Sequence, residues 1–184
     1  LSGSLIDSEL FGHERGAFTG AVAARAGRFE LAGAGTVYLD AVTELPLEAQ
    51  GKLLRIVEDK RVERLGSQAP IVVSARIVAS ADARVEDAVR GGEFRGDLYH
   101  RLRVLPILIP PLREHPDDIL PLAMHFLRRA TTSRAVPSLA RDAAAALDDY
   151  AWPGNVRELR NVIERALDAA LGGAIGLTHL SSEI

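Results

Sequence analysis

The spacing of apolar positions changes along this chain, and the changes mark its elements. Leu5, Ile6, Leu10 and Phe11 recur at helical spacing. Gly16-Ala-Phe-Thr-Gly20-Ala21 interrupts that pattern as a loop would, so residues 1–31 read as helical material around a glycine-rich insert. Thr36-Val-Tyr-Leu-Asp40 follows Gly33 and Gly35 and has the signature of a buried strand. Pro46 opens a helix with Leu47, Leu53, Leu54 and Val57 on one face. Residues 60–73 alternate like a strand, broken by Gly66 and Pro70, which predicts a hairpin. Ala75-Arg-Ile-Val-Ala79 predicts a second buried strand, and residues 84–91 a helix ending at Gly91-Gly92. Val104-Leu-Pro-Ile-Leu-Ile109 predicts a third strand, with Pro106 favouring an edge.

After about residue 116 the strand signals stop. Residues 117–130, 139–150 and 155–171 are helical stretches joined by polar connections such as Arg134 to Ser138. The last stretch carries an apolar stripe of Val156, Leu159, Val162, Ile163, Ala166, Leu167 and Ala170. Asn155 and Glu158 have capping-box spacing at its start, with asparagine in the cap place, and Gly172-Gly173 ends it. Strands alternating with helices predict an α/β fold with a parallel sheet covered on both faces. The expected organisation is therefore an α/β part over 1–116 and a small helical part over 117–184 that runs into the start of a linker.

Composition narrows the classes. With 47% apolar and 26% charged residues among 184, the chain is an ordinary globular one, large enough to bury a core. There is no cysteine, which removes disulfides, thiolate metal sites and cysteine nucleophiles. The net charge of −3 gives no basic footprint for nucleic acid over the whole chain. No apolar run approaches the roughly 20 residues that span a bilayer, so no membrane role is expected. The only methionine is Met124, which makes Leu1 an expected internal or processed residue.

Four features could carry chemistry, and each has a plainer reading. Asp40 ends an apolar strand, where α/β enzymes place a magnesium carboxylate, or where a loop or cap acid sits. Phe18, between small residues bracketed by glycines, is either an exposed partner anchor or a turn residue folded into the core. Arg95 and Arg101 flank Asp97-Leu-Tyr-His100, either as phosphate clamps or as solvated arginines of one helix. Arg157, in Trp152-Pro-Gly-Asn-Val-Arg157-Glu-Leu, lies in the first turn of the final helix and is otherwise a surface residue. The histidines show no metal spacing, and no nucleophile elbow occurs.

Taken together and in order, these segments resemble one family. Ser8-Glu-Leu-Phe-Gly-His-Glu-Arg-Gly-Ala-Phe-Thr-Gly-Ala21 resembles the loop that defines bacterial sigma-54-dependent transcription activators, which carry it in an AAA+ ATPase domain. The likeness continues through Gly27–Ala32, Gly35–Asp40, Glu44–Pro46, Phe94–Leu102, Pro110–Glu114 and Trp152–Leu159, nearly the full length. It implies that Gly16, Ala17, Phe18, Thr19, Gly20 and Ala21 form the loop that engages sigma-54, with Phe18 and Thr19 in contact. It implies that Asp40 is the Walker B aspartate on Mg2+, that Arg95 and Arg101 are arginine fingers reaching a neighbouring subunit's ATP, and that Arg157 is the sensor II arginine of a helical lid. It further implies a cytoplasmic ring, usually a hexamer, that uses ATP to remodel sigma-54 RNA polymerase and meets DNA through a separate domain.

Three departures bear on that activity. No G-x-x-x-x-G-K-[ST] loop occurs, so the chain lacks a backbone cradle and lysine for the phosphates and is expected to bind no ATP by itself. The glutamate that follows the Walker B aspartate in the family is replaced by Ala41. The sensor I threonine–asparagine pair falls on Ala81 and Asp82, and an aspartate facing a γ-phosphate would repel it. The expected function is a sigma-54 interaction domain that couples ATP to polymerase remodelling. The alternative is a degenerate AAA+ subunit that binds sigma-54 without turnover.

Overall fold

The computed structural model describes residues 3–131, 137–181 and 184. Of the polar connection expected over 134–138, positions 134–136 lie outside them. The chain forms two compact units, Leu1–Pro106 and Ile107–Ile184.

In the first unit, α1 (Gly3–Phe11) leads into a short ladder, β1 (Gly12–His13) against β2 (Arg25–Ala26), antiparallel, with the glycine-rich insert between them. A Cβ at Gly27 would lie 2.4 Å from the backbone of Phe11 and Gly12, so only glycine lets the chain close the insert this tightly. α2 (Arg28–Leu31) follows and buries Phe29, which stacks on Phe11 at 6.1 Å between ring centroids. β3 (Thr36–Leu39) ends in a 3-10 turn over Val42–Glu44. α3 (Leu47–Asp59) begins after Pro46, whose fixed φ suits a helix start. Then come a hairpin of β4 (Arg61–Glu63) and β5 (Pro70–Val72), β6 (Arg76–Ala79), α4 (Val85–Arg90) and α5 (Gly96–Leu102).

β3 and β6 pair in parallel, with Leu39 opposite Ala79. Val37 and Leu39 enter a core shared with Ala49, Leu53 and Ile56 of α3 and with Phe94 and Leu98. The strands are half-buried rather than buried on both sides: Tyr38 is 60% and Val78 40% exposed. A parallel strand is covered on both faces only when elements pack on both, and the described residues cover one here. α3 corrects the sequence reading at Leu47, which is exposed; Leu53 is buried and Leu54 and Val57 pack against the core as expected, while Ala49, Gln50 and Ile56 complete the inner face.

The strand expected over 104–109 does not form. Val104, Leu105, Ile107, Leu108 and Ile109 are 73–90% exposed and irregular. A strand exists through the ladder that satisfies its N–H and C=O groups, and no described strand lies beside this run.

In the second unit, α6 (Ile119–Ala130), α7 (Arg141–Asp149) and α8 (Asn155–Ala169) enclose Leu127, Leu147, Trp152, Leu159 and Ile163, all fully buried. The Trp152 indole N–H donates to Leu147 O at 2.8 Å, so its one polar atom is satisfied inside the core. The start of α8 differs from the capping box expected with Asn155. Gly154 holds the cap place, and its N–H donates to the Glu158 carboxylate at 2.8 Å. Asn155 has φ +52°, and its Oδ1 accepts the Leu112 N–H, also at 2.8 Å. Val156, expected in the stripe, is 40% exposed.

Candidate functional site

The parallel register sets the carboxyl ends of β3 and β6 side by side, so Asp40 and Ser80 meet. Ser80 Oγ donates to Asp40 Oδ1 at 2.7 Å, Tyr38 OH donates to the same oxygen at 3.2 Å, and the Ala41 N–H donates to Ser80 Oγ at 3.0 Å. Ser80 N donates to Leu39 O and Val42 N to Ser80 O, so one residue grips the whole turn. Ala41 adopts φ +49°, a left-handed conformation that glycine favours and alanine tolerates at some strain. Ser80 carries no motif signal, and its role follows from register alone. Asp82, two residues on, accepts from the Arg84 N–H at 2.9 Å and pairs with the Arg84 guanidinium at 3.1 Å.

Among the described residues no cluster of three or more metal-ligating side chains occurs. The carboxylate of Asp40, oriented by two hydroxyls, fits a magnesium ion that takes one protein carboxylate and completes its shell with water and phosphates. The phosphate cradle that would hold the rest of a nucleotide is not among these 184 residues.

The insert between β1 and β2 forms a tight loop. Gly16 N donates to Ala21 O at 2.8 Å, and Ala21 N to Phe18 O at 3.0 Å. Ala21 is buried, while Gly16, Thr19 and Gly20 are exposed and Ala17 lies between. Phe18 is 37% exposed, with one edge against the His13 ring at 5.0 Å. His13 is itself buried and hydrogen-bonded to Ser8 at 2.8 Å. The ring of Phe18 is therefore neither free nor swallowed by the core. The β4–β5 hairpin braces the base of the loop. Glu14 N donates to Leu65 O, and Leu65 N to Gly12 O, each at 2.9 Å. The Arg64 guanidinium spans Glu30 at 2.6 Å and Glu14 at 3.0 Å. A cavity of about 310 Å³ opens between Ala17, Phe18, Pro46, Glu48 and Gly66.

Arg95 caps the start of α5 and Arg101 lies in its last turn. Both guanidiniums are on the surface. Arg95 makes a forked pair with Asp97, at 3.1 and 2.8 Å, and Arg101 meets Glu58 at 2.7 Å. The Arg95 hydrogen bonds hold the Asp97 carboxyl below the usual carboxylate range against the opposing effect of desolvation, with help from the Leu98 N–H. Arg157 is exposed in the first turn of α8, with no ion pair among the described residues. The structure thus brings Asp40 and Ala41 together with Ser80. It places both α5 arginines on one helix, and Arg157 in the other unit.

Comparison with known proteins matches this arrangement. The Sigma-54 interaction domain family matches residues 1–108, and the AAA+ ATPase lid domain family matches residues 113–184. The chain is 45% identical over 183 residues to the DNA-binding transcriptional activator HyfR of Escherichia coli, covering 98% of this chain and 27% of HyfR. It is 52% identical over 168 residues to the nitric oxide reductase transcription regulator NorR1 of Cupriavidus necator, covering 90% of this chain and 33% of NorR1. The crystal structure of NtrX from Brucella abortus superposes with a TM-score of 0.90 at 33% identity, over 100% of this chain and 43% of that one. NtrX has also been solved in complex with ADP and with ATP, each with a TM-score of 0.88 to this chain. No helix among the described residues is long and apolar enough to cross a membrane. A loop built on Phe18 and an aspartate at the end of a parallel strand fall within the residues that the first family matches, a separate three-helix unit falls within those of the second, and the chain belongs to the AAA+ sigma-54 interaction domains of bacterial transcription activators.

Proposed function

We propose that this chain is the part of a transcription activator that grips sigma-54 and passes nucleotide-driven movement to it. The observation that carries the reading is Phe18, an aromatic held at the tip of a glycine-bracketed loop, partly exposed on His13. Its loop is braced at the base by Arg64 and Leu65 and open at the tip, which suits a contact that must keep its shape under load. Phe18 and Thr19 would meet sigma-54, with Gly16, Ala17, Gly20 and Ala21 setting the turn.

In the complete protein, ATP and Mg2+ supply the energy of phosphoryl transfer. Asp40 would hold the magnesium ion through the oxygen geometry that Ser80 and Tyr38 impose. Arg157 would meet the phosphates from the lid, and Arg95 and Arg101 would reach the nucleotide of a neighbouring subunit in a cytoplasmic ring, a hexamer by family likeness. The finger role requires both α5 arginines to leave Asp97 and Glu58, surface pairs of small worth that exchange readily. DNA contact belongs to a separate domain. Phe18→Ala tests the reading. Sigma-54 binding by the complete protein should weaken by about 2 kcal/mol or more, as anchor aromatics do. Folding should change little, and a variant that unfolds with sigma-54 binding per folded molecule unchanged would return Phe18 to the core.

A further inference from the structure

Gln50 is fully buried on the inner face of α3, among Ala49, Leu53 and Ile56. A buried primary amide has two N–H donors and a carbonyl to satisfy, and each unmet group is costly. Gln50 satisfies them on two separate segments. Its Nε2 donates to Leu45 O at 2.7 Å and to Glu93 O at 3.0 Å, and its Oε1 accepts the Arg95 N–H at 2.9 Å. Exchanging the amide O and N would set oxygen against two carbonyls and nitrogen against an N–H, so the partners fix its orientation.

Both segments carry site residues. Leu45 closes the turn after Asp40, with its N–H on Val42 O, while the Val42 N–H goes to Ser80 O. Arg95 is the cap residue of α5, where backbone N–H groups have no partner within the helix. Gln50 supplies that partner. Phe94 and Leu98, 2% and 0% exposed, pin the apolar side of the same segment. One buried side chain therefore joins the turn at the end of β3 to the start of the helix that bears Arg95 and Arg101.

We infer that Gln50 is a positioning residue for Arg95, fixing the backbone that launches the arginine helix to the turn that follows Asp40. The functional half of this inference rests on the reading of Arg95 as a finger proposed above. The structural half does not.

Gln50→Met keeps the volume and removes all three hydrogen bonds. In the 184-residue chain, hydrogen exchange should show the Arg95 amide protected in the wild type and faster by about tenfold or more in the variant, the effect of losing one buried hydrogen bond. The Tyr99 amide, which donates to Arg95 O, should change less. If Gln50→Met prevents folding, a wild-type Arg95 amide that exchanges at the rate of an open chain overturns the inference by itself. In the complete protein, Arg95→Ala is compared with Gln50→Met in nucleotide turnover and nucleotide-dependent self-association. Both should lower kcat with little change in KM, and the double variant should resemble Arg95→Ala alone. Additive effects of Gln50→Met and Arg95→Ala, with an unchanged Arg95 amide, overturn the inference. An Arg95→Ala protein indistinguishable from wild type in both turnover and nucleotide-dependent self-association overturns the finger reading instead, and the exchange result still decides the role of Gln50.

Discussion

By the family likeness Ala41 would stand where a carboxylate orients water, and its methyl group accepts no proton. A water-orienting base contributes on the order of 10²–10⁴-fold. The complete protein should therefore hydrolyse ATP slowly, and Ala41→Glu should raise the rate. The left-handed backbone at Ala41 already carries a Cβ, so the change adds little new strain. Asp82 lies three residues beyond the end of β6, paired with Arg84. If Ala41→Glu alone is silent, the double change with Asp82→Asn should release the rate; a silent double variant sinks the argument. Gly66 offers a second test at this scale. It sits at φ +79°, and a Cβ there would lie 2.9 Å from the Ala17 Cβ. Gly66→Ala should cost about 1–2 kcal/mol and move the Ala17 and Phe18 resonances, because strain and collision act together. Unmoved Phe18 signals would show that the hairpin does not set the loop. Phe18, Asp40 and Arg95 could be singled out from sequence because glycine brackets, a strand end and a charged helix are local. Ser80 and Gln50 could not, since Asp40, which Ser80 meets, and Glu93 and Arg95, which Gln50 meets, lie about forty residues away in sequence.

The elements were legible where the signal was periodic. α3, α6, α7 and α8, the β4–β5 hairpin and the strand ending at Asp40 all lie within the expected stretches. The start of α8 was misread because Asn155, a frequent cap residue, is occupied by the Leu112 backbone instead. The run 104–109 was misread because apolar, β-branched sequence indicates what a segment could pair with, not that a partner is beside it. Helix α5 carries a pH prediction. The Asp97 carboxyl is depressed in the folded chain, so its contribution is complete above the unfolded value of about 3.9 and is lost as pH falls through the lower folded value. The Leu98 amide, which donates to Asp97 Oδ1 at 2.8 Å, should lose protection in that window, and Asp97→Asn should remove the pH step. A step that persists in the variant would assign it elsewhere.

At the scale of the molecule the described residues form two cores, one around Phe29, Leu53 and Leu98 and one around Trp152, Leu159 and Ile163. The single tryptophan lies in the second, so its emission reports that unit. Leu53→Ala should destabilise the first core by about 3 kcal/mol, as large-to-small changes in packed cores do. The Trp152 denaturation midpoint should stay put while amide protection of α3 falls. Equal shifts in both would show that the two cores melt as one cooperative body.

The sequence by itself determined the alternation of strands and helices, the break into an α/β part and a helical part, the loop with its aromatic and the family likeness. These are local patterns of period, glycine and charge, written in consecutive residues. Tertiary structure alone decided that β3 buries one face, that 104–109 lies unpaired, and that Phe18 rests on His13. It also decided that Ser80 orients Asp40 and that Gln50 ties the Asp40 turn to Arg95. The physical reason is common to these cases. A hydrogen bond or a covered face depends on which distant backbone arrives beside a residue, and that is fixed by register and packing, which no single stretch of the chain contains.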